Sequence, residues 1–297
     1  MSRYGLSLEW RSDCIRICEQ ELLHDYHQTI ILEEKILPFN VYSILSKDID
    51  LLEKSIDILE NYFSSLNIKT NEATIIIPDT NAYISIISLS EAPENEIIEI
   101  IKNEEHEIFP VNPESLSIDI ECLYKDENTK KMSFLIVAML KNTAHCMTYI
   151  LNGLGIEINR IESEISTFGR IATRPQIFNH CLFGLSVGVK NTSLYLVDTE
   201  KNFLFYYKNI EYGFENASLE IFENELLQMI NQANIHCPNL PKHVFLYQYA
   251  KKIKFLENLF IRYNIKIISY QDMLCAKTKS DINDISNFII SIGAFAL

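Results

Sequence analysis

A short hairpin pattern occurs twice in this chain and constrains its fold more than any other feature. The first copy places the runs Tyr4–Leu8 and Cys14–Cys18 on either side of a polar turn, and the second copy does the same with Phe183–Val187 and Ser193–Val197. Both copies carry Gly-Leu-Ser within the first apolar run. A supersecondary unit that recurs in one chain predicts two lobes of similar construction that face each other.

The size and charge of the chain limit its possible classes of function. Its 297 residues, 47% of them hydrophobic, suffice for two lobes with substantial cores. The formal net charge is −14 and Lys and Arg are not clustered, so we expect no nucleic-acid partner. An acidic surface suits a basic segment of a protein partner instead.

Cysteine usage indicates a reducing compartment. The chain has 7 cysteines and no Cys-x-x-Cys pair, so neither a disulfide framework nor a zinc ribbon is predicted. The dipeptides His180-Cys181 and His236-Cys237 lack the usual spacing of metal ligands. We therefore predict no metal site.

The sequence has no segment of the kind that enters a membrane. No window approaches the roughly 18 consecutive apolar residues that a spanning helix needs. The N-terminus begins with a strand-like run rather than with a basic stretch and an apolar signal segment. We expect no direct membrane insertion, so a membrane location requires a partner.

Hydrophobic periodicity divides the chain into three parts. Apolar residues at steps of three and four predict a helix over 48–66 in the first part. Residues 82–161 combine strands with a helix over 93–108, which predicts a small α+β subdomain inserted into the first lobe. From residue 181 onward strands and helices alternate, and an apolar helix over 284–297 ends the chain. This order predicts an α/β second lobe.

Short phrases in a fixed order along the chain carry a family resemblance: Ile36-Leu37-Pro38, Ala73–Pro78, Glu104–Pro110, Leu135–Ala138 and Ser291–Leu297. Together they resemble the PilM family of actin-like type IV pilus assembly proteins, which is related to the cytoplasmic domain of the type II secretion protein GspL. The resemblance implies an α/β fold of two actin-like lobes with a small inserted α+β (strand-helix-strand-strand) subdomain. It assigns 1–81 plus 162–180 to the first lobe, 82–161 to the insert and 181–297 to the second lobe.

The predicted helix 93–108 carries two carboxylates on its apolar stripe. Isoleucines line one face, and helical spacing adds Glu104 and Glu105 to that face. These side chains face water where the stripe ends, pair with an internal Arg or Lys, or line a groove that receives a basic residue of a partner. The resemblance implies a partner, the cytoplasmic tail of a PilN-like inner-membrane protein, in a groove between the first lobe and the insert. Phe109 and Pro110 would then form part of the apolar wall.

The resemblance also implies a nucleotide cleft, and the sequence departs from it at three places. The first hairpin has Ser7 and Glu9 where the family has Asp and Gly. The second hairpin has Ser186 in place of Asp but keeps Gly188 and Thr192, and Tyr247-Gln248 stands where the adenosine loop has glycines. Phosphate sites need free backbone N–H groups, and Mg²⁺ needs carboxylates. Nucleotide binding is therefore expected to be lost, unless Glu9 itself coordinates Mg²⁺.

No sequence motif of a known catalytic class is present. We predict a non-catalytic cytoplasmic scaffold of a type IV pilus or type II secretion machine, without a cofactor, located at the inner membrane through its partner. The alternatives are an ATP-binding switch with a divergent Mg–ATP site and a sugar-kinase-like enzyme. Trp10, in the first hairpin, either packs into the cleft between the lobes or is a partly exposed turn residue.

Overall fold

The computed structural model describes residues 3–22, 27–93, 96–97, 99–100, 109, 111–127, 129–172, 179–201, 203–269, 291 and 294. The described strands are β1 (Arg3–Trp10), β2 (Cys14–Leu22), β3 (His27–Ile36), β4 (Glu72–Ile77), β5 (Tyr83–Ser90), β6 (Leu116–Asp126), β7 (Lys131–Leu140), β8 (Glu157–Ser163), β9 (Cys181–Val187), β10 (Thr192–Asp198), β11 (Phe203–Ile210), β12 (Lys242–Gln248) and β13 (Lys266–Ile268). The described α-helices with assigned ends are α1 (Ile49–Phe63), α2 (Lys141–Gly153), α3 (Glu164–Ala172), α4 (Leu219–His236) and α5 (Lys254–Arg262).

Two five-stranded sheets share one topology. The first has the order β3-β2-β1-β4-β8 and the second has the order β11-β10-β9-β12-β13. In each sheet the first three strands form an antiparallel meander, and the last two are parallel to the central strand. The duplication predicted from the two hairpins is therefore confirmed, with β1 and β9 at equivalent places.

Strand alternation gives each central strand an outer apolar face and an inner face. In β1, Leu6, Leu8 and Trp10 pack outward against α1 and α2, so Ser7 and Glu9 face inward. Helix α1 forms because its buried residues recur at three- and four-residue steps. Trp10 is fully buried in this outer core, so both readings offered for it from the sequence are wrong.

The second lobe repeats this arrangement. Its outer core joins alternate residues of β9, β10 and β12 to α4 and α5, and the members from β9 are Cys181, Phe183, Leu185 and Val187. Gly184 and Ser186 consequently face inward, toward the first lobe. The inner faces of β1 and β9 thus present their serines to the space between the lobes.

Helix α3 joins the two lobes. It follows β8 directly, and its buried residues Ile165, Phe168 and Ile171 belong to a core that also contains Tyr195 and Tyr247 of the second lobe. The ring centroids of Phe168 and Tyr195 lie 4.8 Å apart. Gly184 is required at this contact, because a Cβ there would lie 2.4 Å from Cζ of Phe168.

The insert is the three-stranded antiparallel sheet β5-β7-β6, together with the helical residues 96–97 and 99–100. One face of this sheet packs with Ile97 and Phe109 in a separate core. The other face presents residues such as Leu135 and Val137 toward α3. The rest of the predicted helix 93–108 and most of the predicted helix 284–297 lie outside the described residues.

The boundary of 161 predicted for the insert is too late. Strand β8 pairs with β4 in the sheet of the first lobe, and α2 packs in the same outer core through Cys146, Met147 and Ile150. The chain therefore returns to the first lobe after Leu140. Within the described part of the chain, no helix is long and apolar enough to cross a membrane.

Candidate functional site in the cleft between the lobes

A cleft of about 450 Å³ separates the two hairpin turns. On the first lobe its walls include Arg11, Arg16, Pro78, Thr80 and Asn81, and on the second lobe they include the turn 188–191. Glu164, the first residue of α3, also lines the cleft. Both hairpins therefore meet at one site, as the sequence predicts.

Glu9 lies beneath the cleft in a buried ion-pair cluster. Its Oε1 accepts hydrogen bonds from Arg11 Nε at 2.5 Å and from Arg16 Nη1 at 2.9 Å, and its Oε2 accepts one from Ser291 Oγ at 2.9 Å. Burial by itself would raise the pKa of Glu9, but the two guanidinium groups and the hydrogen bonds lower it below its ordinary value. Glu9 is thus an ionised carboxylate whose oxygens are already satisfied by the chain.

Glu164 connects the lobes from the start of α3. Its Oε1 accepts hydrogen bonds from Arg11 Nη2 at 3.1 Å, from Ser186 Oγ at 3.0 Å and from Gln248 Nε2 at 2.7 Å. The same Gln248 nitrogen donates to Ser186 Oγ at 2.8 Å. We call Glu9, Arg11, Arg16, Glu164, Ser186 and Gln248 the cleft network.

Gln248 holds an unusual backbone conformation in this network. Its φ is 58° and its ψ is −129°, a region that non-glycine residues rarely occupy. Glycines are expected at this loop from the family resemblance, and the backbone has kept a glycine-like shape although a larger residue occupies it. Such strain persists only where surrounding contacts impose it.

A second polar contact joins the lobes beside the network. Asp79 Oδ1 accepts a hydrogen bond from the Ile165 backbone N–H at 3.0 Å, at the start of α3, and Asp79 Oδ2 accepts one from the Tyr195 hydroxyl. Burial and the nearby Glu164 raise the pKa of Asp79 well above its ordinary value. Asp79 therefore keeps its proton to a higher pH than an exposed aspartate does.

The remaining cleft residues predicted from the sequence are also engaged within the chain. Ser7 Oγ donates to the carbonyl oxygen of Ser291 at 2.7 Å, and Thr192 Oγ1 donates to that of Tyr212 at 2.6 Å. The Gly188 N–H donates to the carbonyl oxygen of Asn191 at 2.8 Å, which closes the second turn.

Tyr247 is one of the two residues that stand where the family has glycines. Its side chain is fully buried beneath the cleft, in the aromatic core around Phe168. It therefore does not fill the space where a base would lie. Gln248 and Tyr249 line that space instead.

These residues do not fit a Mg–nucleotide. Phosphate needs unpaired N–H donors, but the Gly188 N–H is used within its own turn. Mg²⁺ needs available carboxylate oxygens, but both oxygens of Glu9 and Oε1 of Glu164 already accept hydrogen bonds within the chain. Within the described ranges, no three His, Cys, Asp or Glu side chains are grouped so that they could hold a metal ion.

A second cavity, which we call the acidic groove, lies between the insert and α3. It has a volume of about 330 Å³, and its walls carry the acidic residues Asp119, Glu121 and Glu162 beside apolar residues such as Leu135 and Val137. Glu162 is paired with Arg170 and Arg160. Among the described residues, Asp119 and Glu121 form no salt bridge within 4.0 Å, and partial burial together with Asp119 raises the pKa of Glu121.

Of the four groove residues predicted from the sequence, the structure describes one, Phe109. Glu104, Glu105 and Pro110 are outside the described residues. Phe109 is 3% exposed and packs with Tyr83 in the core on the opposite face of the insert sheet. Phe109 is therefore a core residue rather than the wall of an open groove. Asp119 and Glu121 were missed because their alternation along β6 also fits a solvent-exposed strand face.

Comparison with known proteins finds similarity in structure only. No family model matches the chain, and no curated protein matches its sequence. A solved PilM–PilN type IV pilus biogenesis complex contains a chain that matches 99% of this chain and 97% of its own length, with a TM-score of 0.72 and 13% identity. The chain has a PilM-like fold. The resemblance drawn from the sequence is confirmed at the level of the fold.

Two further structures support the PilM-like, actin-like assignment. A Bacteroides thetaiotaomicron protein with an actin-like ATPase fold and unknown function matches 98% of this chain and 94% of its own, with a TM-score of 0.56 and 14% identity. The ethanolamine utilization protein EutJ from Carboxydothermus hydrogenoformans matches 98% and 88%, with a TM-score of 0.50 and 10% identity. The predicted two-lobed α/β architecture is therefore confirmed.

Proposed function

We propose that this chain is a non-catalytic adaptor in the assembly machine of a type IV pilus or a type II secretion system. In this role it is cytoplasmic and is held at the inner membrane by the tail of a PilN-like protein. The full-length similarity to a PilM chain that was solved in complex with PilN supports this proposal. Nucleotide binding is lost in this proposal, and Mg–ATP is not a cofactor.

The proposed loss of nucleotide binding rests on the hydrogen bonds that the cleft carboxylates already accept within the chain. Glu164 lines the cleft and Glu9 lies beneath it, and their oxygens accept hydrogen bonds from Arg11, Arg16, Ser186 and Gln248. A nucleotide would have to replace these hydrogen bonds and bring further negative charge beside two carboxylates. Breaking a buried ion pair typically costs about 3–5 kcal/mol.

Thermal unfolding with millimolar Mg–ATP tests this part of the proposal. A ligand that binds only the folded protein stabilises it by an amount that grows with the logarithm of its concentration. We expect no shift in Tm between buffer with Mg²⁺ alone and buffer with Mg–ATP. A rise in Tm that increases with the ATP concentration would favour the ATP-binding switch instead.

The acidic groove is the proposed site for the partner tail. Asp119 and Glu121 form no salt bridge within the described residues, and they lie beside apolar walls that suit the aliphatic part of a Lys or Arg side chain. The test is titration calorimetry with a synthetic peptide copied from the basic tail of a PilN-like protein of the same genome.

Asp119→Asn and Glu121→Gln should each weaken the binding of this peptide by roughly 0.5 kcal/mol or more, because each removes a negative charge from the groove. The matched control is Glu114→Gln, an exposed carboxylate just before the same strand. Equal affinities for all three variants and the parent protein would place the tail elsewhere.

A further inference from the structure

We propose that Glu164 is an internal tie that fixes the angle between the two lobes, in place of a bound ligand. The inference rests on the proposed function, because a cleft that bound Mg–ATP would use the ligand for this purpose. It adds to that function a mechanism that sets the conformation of the adaptor from within its own chain.

The geometry of Glu164 supports this role. Its side chain is 4% exposed, and its Oε1 receives Arg11 from the first lobe together with Ser186 and Gln248 from the second. Position 164 begins α3, where the positive end of the helix dipole stabilises a carboxylate. One anionic oxygen therefore binds donors from both lobes at the point where the connecting helix starts.

The strained backbone of Gln248 is a second, independent observation. A glycine would adopt φ 58° and ψ −129° without a Cβ penalty, yet this chain has a residue whose side chain reaches both Glu164 and Ser186. Strain of this kind is retained where the side chain makes contacts that repay it. We therefore infer that the side-chain amide of Gln248 is part of the tie, through its hydrogen bonds to Glu164 and Ser186.

The substitution Gln248→Gly tests whether the Gln248 side chain contributes to the tie, because the two possibilities predict opposite changes in Tm. Gln248→Gly relieves the backbone strain but removes both side-chain hydrogen bonds. If the hydrogen bonds of the Gln248 side chain do not stabilise the fold, Gln248→Gly should raise Tm, because it removes only the backbone strain. If it is part of the tie, Gln248→Gly should lower Tm by about 3 °C or more, and Gln248→Ala, which keeps the strain, should lower it further.

A conformational readout distinguishes a tie from a merely stabilising contact. In the nucleotide-free full chain, Glu164→Ala should increase the radius of gyration in small-angle X-ray scattering. Amide hydrogen exchange should become about tenfold faster in the β9–β10 hairpin while that of α1 is unchanged. Glu157→Ala is the matched control, because Glu157 is an exposed glutamate on β8 just ahead of α3.

A double-variant cycle completes the test. Adding Gln248→Gly to Glu164→Ala should cost little more than Glu164→Ala alone, because both changes break the same hydrogen bond. Additive losses, or a compact Glu164→Ala protein with unchanged exchange in β9–β10, would overturn the inference. Failure of the proposed function is detected separately, by Mg–ATP stabilisation of the unmodified chain.

Discussion

The hydroxyl of Tyr195 in the second lobe donates a hydrogen bond to the carboxyl group of Asp79 in the first lobe. Asp79 also accepts from the N–H of Ile165 at the start of α3. This pair and the cleft network both join the lobes through the same end of one helix. Burial raises the pKa of Asp79 and of Tyr195 alike.

Asp79 should make the protein less stable as the pH rises. Between its ordinary pKa of 3.8 and its raised value in the fold, the folded chain keeps a proton that the unfolded chain releases. The free energy of unfolding should therefore fall by up to about 1.4 kcal/mol per pH unit in that window. Asp79→Asn should lose this dependence, as measured by urea unfolding from pH 4 to pH 9. An identical slope in the two proteins would contradict the assignment.

Glu9 should have the opposite pH dependence. Its pKa in the fold is lower than the ordinary 4.5, so its contribution to stability is present above pH 4.5 and is lost as the pH falls through the lowered value. Glu9→Gln should destabilise the protein at pH 7 by about 3 kcal/mol, because Arg11 and Arg16 lose their buried partner. Urea unfolding should show this difference shrinking below pH 4.5. Glu53→Gln, at an exposed position of α1, serves as the control.

A pair of glycines should respond oppositely to alanine. Gly184→Ala places a Cβ 2.4 Å from Cζ of Phe168 and should destabilise the protein by about 1–3 kcal/mol through overpacking. Gly169→Ala, within α3, meets no atom within 4 Å and should stabilise it by about 0.5–1 kcal/mol through helix propensity. Urea unfolding measures both changes. Equal effects would show that α3 does not press on β9 as described.

Cys122 should act as a chemical reporter of the acidic groove. It is exposed and lines that groove, whereas burial raises the pKa of Cys14 and of Cys18 to about 12. In the folded protein a thiol reagent should modify Cys122 quickly, and Cys122→Ser should remove one fast-reacting thiol. The PilN-like tail peptide should slow this reaction. An unchanged rate at a saturating peptide concentration would place the peptide outside the groove.

Local patterns in the sequence predicted the repeated units of the fold but not the ends of the insert. The two Gly-Leu-Ser hairpins and the stripe of α1 are read from neighbouring residues, and both have the predicted structure. Helix α2 was assigned to the insert because an apolar stripe does not reveal which core it will join. The return of β8 to β4 depends on a pairing between strands that are distant in sequence.

The cleft network could be predicted only in part. Ser186, Glu9 and Gln248 departed visibly from the family pattern, and all three belong to the network. Glu164 and Arg11 gave no signal, because they are 153 positions apart in the chain and meet only in the folded structure. Long-range polar contacts of this kind leave no periodicity in the sequence.

The position of α3 has a mechanical consequence. Its first residue, Glu164, lies in the cleft, while Ser166, Gly169 and Arg170 line the acidic groove on the same short helix. Nine helical residues form a rod only about 13 Å long, which moves as one piece. A peptide bound in the groove would therefore contact the same helix that carries Glu164. One short helix thus contributes to both cavities, so occupancy of the groove beside the insert has a direct physical connection to the place where the two halves of the molecule meet.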